Sequence, residues 1–198
     1  MIKNFFLQFS KPEGVLGKFV GKLMAVTGKE KNRWTISKLG LTEDDHVLEI
    51  GFGPGVAIEM AAQIVKKGKV VGVDYSPVML KQATNRNKQA ILDDRVKLIQ
   101  ADADELPQFD ITFNKVFSIN SIIFWKDPIK TLKTVKSMMD DGGMITITVH
   151  PYQKGDTEIM VKNFGQHIVQ YLTEAGFTDI QVDYKYIKPS KAVCVIAK

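Results

Sequence analysis

Short apolar segments rich in β-branched residues alternate with longer amphipathic segments through the middle of the chain. The short segments predict five strands, at residues 46–50, 69–73, 96–100, 115–119 and 144–149. Apolar residues at helical spacing predict helices at residues 56–65, 77–92 and 128–139. Ser76 and Pro77 suit a helix start, and Gly142 and Gly143 are expected where the last of these helices ends. Such alternation requires right-handed crossovers, so we expect a parallel sheet with helices on both faces.

The pattern changes near the carboxyl terminus. A predicted helix over about residues 157–175 is followed by two strand-like segments, 179–188 and 191–197. Only Pro189 and Ser190 join these segments, and so short a link permits an antiparallel hairpin but no crossover. We therefore predict an α/β fold: a Rossmann-like, doubly wound, three-layer sandwich. Its seven-stranded sheet is mostly parallel and carries an antiparallel carboxyl-terminal hairpin strand.

The most informative segment is an apolar strand that leads into a glycine-rich turn and then into a helix. Glycines at such a turn let a ligand approach the backbone closely. The dinucleotide fingerprint Gly-x-Gly-x-x-Gly is not matched, because Gly51 and Gly53 are followed by Gly55 and then by Val56. Glu49 would repel a pyrophosphate at the helix start, but it favours a ligand with an ammonium or sulfonium charge. These features point to S-adenosylmethionine as the cofactor.

Polar residues also follow the next three predicted strands. Asp74 ends the second strand, where a carboxylate can accept hydrogen bonds from both hydroxyls of a ribose. Asp102 follows the third strand, where it can accept from an adenine amino group, and Asn120 follows the fourth. Ligands of open α/β sheets bind at this carboxyl edge, near the point where the strand order reverses. The sequence therefore predicts a nucleotide cofactor there.

Three segments in this order, residues 49–55, 74–80 and 102–107, resemble the class I S-adenosylmethionine-dependent methyltransferases. The likeness is greatest to the small-molecule branch typified by ubiquinone and menaquinone C-methyltransferases. Each motif alone is weak, whereas the ordered set is specific. The resemblance covers about residues 45–197, and it implies methyl transfer to a small acceptor on a sheet that also ends in an antiparallel hairpin strand.

The resemblance also implies a role for each cofactor-binding candidate. Glu49 would lie near the amino-acid part of the cofactor, with the glycines Gly51, Gly53 and Gly55 against its backbone. Asp74 would bind the ribose and Tyr75 would cover the adenine face. Asp102 would meet the adenine amino group with Ala103 beside it, and Asn120 would lie near the methionine moiety.

Three further residues are candidates for the acceptor pocket. His150 directly follows the fifth strand at the edge where substrate should lie, and Trp34 and Trp125 would either line the pocket or be buried in the core. Asp104 and Glu105 are interpreted as a solvated acidic loop. We name no catalytic base, because the sulfonium is an activated methyl donor and alignment supplies much of the acceleration.

Composition limits the alternatives. The chain has 198 residues, 44% of them apolar and 25% charged, which is typical of one globular domain. The only cysteine, Cys194, excludes a disulfide framework and indicates a reducing, cytoplasmic environment. No apolar run approaches the length of about 18 residues that spans a membrane. No ligand cluster supports a metal ion.

The positive charge of the chain is concentrated at its amino terminus. Residues 1–40 contain eight Lys and Arg against two Asp and Glu, whereas residues 41–198 are nearly neutral, so no nucleic-acid partner is expected. The segment 15–26 has an apolar stripe typical of an amphipathic helix. We interpret residues 1–40 as a basic helical arm that forms a lid over a cofactor-binding domain at 41–198. The other interpretation of the arm is a membrane-surface helix.

Methyl transfer from S-adenosylmethionine to a small, partly apolar or aromatic acceptor is the preferred function. Three alternatives stay open at this point. A nicotinamide-dependent oxidoreductase is disfavoured by Glu49 and Val56 in the glycine turn. A non-catalytic S-adenosylmethionine-binding regulator would carry the same motifs. Nucleic-acid methylation guided by the basic arm would show steeply salt-dependent binding.

Overall fold

The fold is built on one seven-stranded sheet, seen here in a computed structural model that describes residues 28–151 and 158–198. The strands are β1 (His46–Ile50), β2 (Lys69–Asp74), β3 (Val96–Gln100), β4 (Phe113–Ile119), β5 (Met139–Val149), β6 (Gln181–Ile187) and β7 (Ser190–Ala197). Their order across the sheet is β3-β2-β1-β4-β5-β7-β6. The first five strands run parallel, and β7 pairs antiparallel with both β5 and β6. The predicted mixed sheet with its terminal hairpin is confirmed.

Helices cover both faces of this sheet. They are α1 (Lys29–Leu39), α2 (Val56–Ile64), α3 (Pro77–Arg86), α4 (Lys88–Leu92), α5 (Pro128–Ser137) and α6 (Glu158–Glu174). Alternate strand residues point to opposite faces, so Val47 packs in a core with residues of α1, α2 and α3. Its neighbour Leu48 packs in a second core with residues of α5 and α6. The predicted three-layer sandwich is therefore confirmed.

The predicted helix at 77–92 is wrong in one respect, because it is two helices that meet at Asn87. Ser76 caps the first of them as predicted, accepting a hydrogen bond from the Met79 backbone N–H at 3.4 Å. Asn87 donates from Nδ2 to the carbonyl oxygens of Gly55 at 3.1 Å and Ala83 at 2.9 Å. These bonds hold the break between α3 and α4 against the glycine turn, a distant contact that helical periodicity does not reveal.

The prediction that Gly142 and Gly143 end a helix is also wrong. Helix α5 already ends at Ser137, and both glycines lie inside β5. Opposite them, Phe113 pairs with Met139 and Lys115 with Met144, so β5 has extra residues that bulge out of the ladder. Gly142 allows this bulge because its φ is +75°.

Helix α1 packs against the sheet at the end of the segment predicted as an arm. Trp34, Ile36 and Leu39 are buried, and the Thr35 hydroxyl lies 2.7 Å from the Thr148 hydroxyl of β5. The predicted helix at 15–26 lies outside the described residues, so the division at residue 40 and the lid stay predictions. None of the helices in the described ranges is long and apolar enough to cross a membrane.

Candidate cofactor site

The glycine turn after β1 is shaped by both backbone conformation and close contacts. Gly51 and Gly55 have φ values of +81° and +75°, in the left-handed region that favours glycine. A Cβ atom on Gly51 would lie 2.4 Å from the Cβ and Oγ atoms of Ser121. A Cβ atom on Gly55 would lie 2.6 Å from the Cβ atom of Ala83. Glycine is therefore required at both positions, because a side chain there would collide with Ser121 or Ala83. Of the three glycines, Gly51 and Gly53 stay partly exposed and Gly55 is buried.

Asp74, at the end of β2, forms a hydrogen bond with the middle of this turn. Its Oδ2 accepts a hydrogen bond from the backbone N–H of Gly53 at 2.7 Å, and its Oδ1 accepts from that of Ser76 at 2.8 Å. Burial raises the pKa of the Asp74 carboxyl, and these two hydrogen bonds partly offset the rise. Because a carboxylate has about four acceptor positions, Asp74 can still accept from two hydroxyls of a bound ribose.

Glu49 lies at the far end of β1 with only 2% of its surface exposed. Its Oε2 atom is buried and has no hydrogen-bond partner among the residues that the structure describes. Burial, and then the negative charge of Asp74, raise the pKa of Glu49 well above its ordinary value, while Lys31 acts in the opposite direction. An unsatisfied buried carboxyl oxygen is costly, and a ligand cation would satisfy it. The residues therefore fit the ammonium of S-adenosylmethionine.

Lys31 of α1 was missed by the sequence reasoning, which counted it with the basic arm. It is 6% exposed, and burial lowers its pKa to about 8 although Glu49 acts to raise it. The available signal was its spacing, because Lys31 precedes the buried residues Trp34 and Thr35 by three and four positions on one helix face.

The loop after β3 carries Asp102 and Ala103, the two candidates for adenine binding, and contacts the segment just before α5. Asp102 caps the short 3-10 turn Ala103–Glu105 by accepting from the Asp104 N–H at 3.0 Å, and its other oxygen lies 3.5 Å from the Lys126 Nζ. Ala103 packs at the margin of one core. This arrangement holds Asp102 and Ala103 in place beside the end of β3.

The interpretation of Asp104 as a solvated acidic residue is wrong, although Glu105 is exposed as expected. Asp104 accepts hydrogen bonds from the backbone N–H groups of Lys126 at 3.0 Å and Asp127 at 3.1 Å, and from the Thr131 hydroxyl at 3.1 Å. These donors lie more than twenty residues away, so local composition did not reveal the contact.

Asn120 joins the ends of β4 and β5. Its Oδ1 accepts from the His150 N–H at 2.7 Å, and its Nδ2 donates to the His150 carbonyl oxygen at 3.1 Å. Asn120 adopts a φ of +58°, which asparagine tolerates better than most residues. Both polar groups of its side chain are therefore engaged with the backbone of its neighbour. His150 itself is 1% exposed, and burial followed by the charge of Lys31 lowers its pKa.

The aromatic candidates lie in different surroundings. Trp125 is buried and donates from Nε1 to the Ser121 Oγ at 2.9 Å, so it supports the residue that packs on Gly51. Trp34 is buried against the β6–β7 hairpin with Cys194. Tyr75 is 47% exposed directly after Asp74, and its ring is accessible. The structure thus brings Trp125 next to the glycine turn and sets Trp34 against the hairpin.

Comparisons with known proteins show the family of the chain. A family model described as a methyltransferase domain matches residues 47–143. A Bacillus subtilis (strain 168) protein named as an uncharacterized methyltransferase, YdaC, is 35% identical over 178 residues, which are 90% of this chain and 96% of that protein. The chain belongs to the class I S-adenosylmethionine-dependent methyltransferases. This methyltransferase uses S-adenosylmethionine, and the oxidoreductase and non-catalytic alternatives are set aside.

Two further similarities bear on the branch and the fold. The ubiquinone/menaquinone biosynthesis C-methyltransferase UbiE of Geobacter sp. (strain M21) is 30% identical over 119 residues, 58% of this methyltransferase and 49% of that protein. A crystal structure of an S-adenosylmethionine-dependent methyltransferase from Aquifex aeolicus superimposes with a TM-score of 0.73. It is 20% identical and covers 91% of this chain and 97% of its own, which supports the same fold.

Proposed function

We propose that this methyltransferase acts on a small, partly apolar or aromatic acceptor bound at the carboxyl edge of β4 and β5. The observation that carries the proposal is that the segments after β4 and after β5 each carry exposed apolar side chains. Ile123 and Phe124 follow β4 and are 46% and 47% exposed, and Ile159 and Met160 begin α6 after β5. Exposed apolar residues beside a cofactor site are typical of a ligand pocket. The similarity to a quinone-pathway C-methyltransferase supports the same acceptor class.

In this proposal the cofactor candidates divide by the part of the ligand they bind. Asp74 accepts from the ribose hydroxyls, and Glu49 holds the ammonium. Asp102 accepts from the adenine amino group beside Ala103, while the exposed ring of Tyr75 covers the adenine face. The backbone of the turn at Gly51, Gly53 and Gly55 lies along the ligand. S-adenosylmethionine supplies an activated methyl group on its sulfonium sulfur.

The residues at the ends of β4 and β5 then shape the acceptor side. Asn120 acts as a positioning residue, because its engaged amide fixes the end of β5 beside the methionine part of the site. Trp125 and His150 are proposed as the inner wall of the acceptor pocket, with Trp34 beyond them next to the hairpin. No residue is assigned as a catalytic base, since alignment with an activated donor supplies much of the rate.

The amino-terminal arm and the cellular location complete the proposal. We propose that the arm predicted at residues 1–40 covers the acceptor and excludes water from the reaction, with its last part, α1, fixed on the sheet. We also propose that the enzyme works in the cytoplasm with its single cysteine reduced. Cys194 is buried, and burial raises its pKa to about 11, so its thiol stays protonated and unreactive.

An acceptor panel tests the proposed substrate class. Methyl transfer is measured to phenols and quinols with alkyl chains of increasing length, and to small polar amines and carboxylic acids. We expect kcat/KM to rise with chain length, and Phe124→Ala to lower it by about tenfold for the longer acceptors. The matched control is Leu92→Ala, an exposed apolar residue on α4 that should change nothing. Turnover confined to the polar acceptors would refute the assignment.

A further inference from the structure

Three buried polar residues lie on α1, on β1 and directly after β5. Lys31 comes from α1, Glu49 from β1 and His150 from the end of β5, and each is less than a tenth exposed. Helix α1 is fixed in this position because the Thr35 hydroxyl, one turn after Lys31, lies 2.7 Å from the Thr148 hydroxyl of β5. Helix α1 and β1 pack in one core, on the sheet face that Val47 and Glu49 share, and the opposite charges of Lys31 and Glu49 act on each other's pKa.

A buried lysine and a buried glutamate are costly for stability unless they are well satisfied by each other or by a ligand. Glu49 keeps its Oε2 atom without a hydrogen-bond partner in the described part of the chain, so this pair does not satisfy it fully. Such incomplete satisfaction is unusual in a purely structural ion pair. It is expected where a ligand completes the hydrogen bonding.

The amino-acid end of S-adenosylmethionine carries an ammonium and a carboxylate on the same carbon. An acidic residue alone would attract the ammonium and repel the carboxylate. An acidic residue and a lysine on neighbouring elements can attract both groups. We propose that Lys31 binds the α-carboxylate of the cofactor while Glu49 binds its ammonium. Helix α1 thereby contributes a binding residue from outside the family's glycine, ribose and adenine motifs. This inference rests on the proposed position of the amino-acid end at Glu49.

Titration calorimetry with three ligands separates the contributions of the two charges. S-adenosylhomocysteine carries both groups, S-adenosyl-3-thiopropylamine lacks only the carboxylate, and 5′-methylthioadenosine lacks both. We expect Lys31→Met to weaken the binding of S-adenosylhomocysteine about 10- to 100-fold. Binding of the thiopropylamine compound should weaken less than about twofold. The matched control is Lys29→Met, an exposed lysine on the same helix that should leave all three affinities unchanged.

Equal weakening of S-adenosylhomocysteine and the thiopropylamine compound by Lys31→Met, or no weakening of either, would overturn the proposal. If the variant does not fold, the wild-type protein still decides, because equal affinity for those two ligands would mean that no cation recognises the carboxylate. Glu49→Gln should weaken both amine-bearing ligands and leave methylthioadenosine unchanged. Failure of that result would refute the position of the amino-acid end, whereas failure with Lys31→Met alone would refute only the role of Lys31.

Discussion

Replacing Asp74 by alanine should separate cofactor binding from folding. The carboxylate accepts from the backbone N–H groups of Gly53 and Ser76, and in the proposed complex it also accepts from the ribose. Burial raises its pKa despite the two hydrogen bonds, so desolvation costs more than those bonds return for the charged form. Asp74→Ala also leaves the N–H groups of Gly53 and Ser76 without this acceptor, so the free energy of unfolding should fall by about 1 to 3 kcal/mol while the fold survives.

Cofactor affinity should fall as well. Charge-assisted hydrogen bonds to the ribose contribute about 1.5 to 3 kcal/mol, so Asp74→Ala should raise the dissociation constant of S-adenosylhomocysteine about 10- to 150-fold. Asp74→Asn keeps one acceptor oxygen without the charge and should fall between wild type and alanine. Asp110→Ala removes an exposed carboxylate just before β4, at the opposite edge of the sheet, and is the matched control.

Calorimetric titration and urea unfolding of the same samples provide the two measurements. Wild-type affinity in Asp74→Ala would show that the ribose is held elsewhere. A loss of unfolding free energy well above about 3 kcal/mol would instead show that the carboxylate is needed mainly to hold the glycine turn.

Three other predictions follow from particular residues. The pKa of Glu49 is raised, and the ligand ammonium favours its ionised form. Binding of S-adenosylhomocysteine should therefore strengthen as the pH rises through that pKa. Calorimetry at several pH values should show that Glu49→Gln flattens this dependence. Asp104→Ala should lower the unfolding free energy by about 1 to 2 kcal/mol, with Glu105→Ala as a neutral control in urea unfolding. Partial burial acts to raise the Asp104 pKa, but hydrogen bonds from Lys126, Asp127 and Thr131 outweigh it and hold the pKa low, so this difference should disappear as the pH falls through that pKa. Removing residues 1–27 should preserve cofactor binding but impair methyl transfer if the arm is a lid; salt-sensitive sedimentation of the intact chain with anionic vesicles would favour the membrane-surface interpretation.

Most strands and helices could be predicted from local sequence, because the patterns that indicate them depend only on neighbouring residues. Short apolar segments predicted all seven strands, and apolar residues at helical spacing predicted most of the helices. The short link at Pro189 and Ser190 permitted only a hairpin, and β6 and β7 do pair antiparallel. The acid at Glu49 and the glycines after it indicated the cofactor chemistry, since charge and backbone freedom are properties of the residues themselves.

Tertiary structure decided the features that depend on contacts between distant segments. Asp104 and the loop that starts α5 are separated by more than twenty residues, and Asn120 and His150 by thirty, so only strand order and register bring them together. The break at Asn87 likewise depends on the carbonyl oxygen of Gly55. Lys31 lies in a basic segment that composition presents as a solvated surface, and only the packing of α1 on the sheet buries its side chain. Burial and hydrogen-bond partners across the sheet are set by the assembled fold, and a local pattern does not contain them.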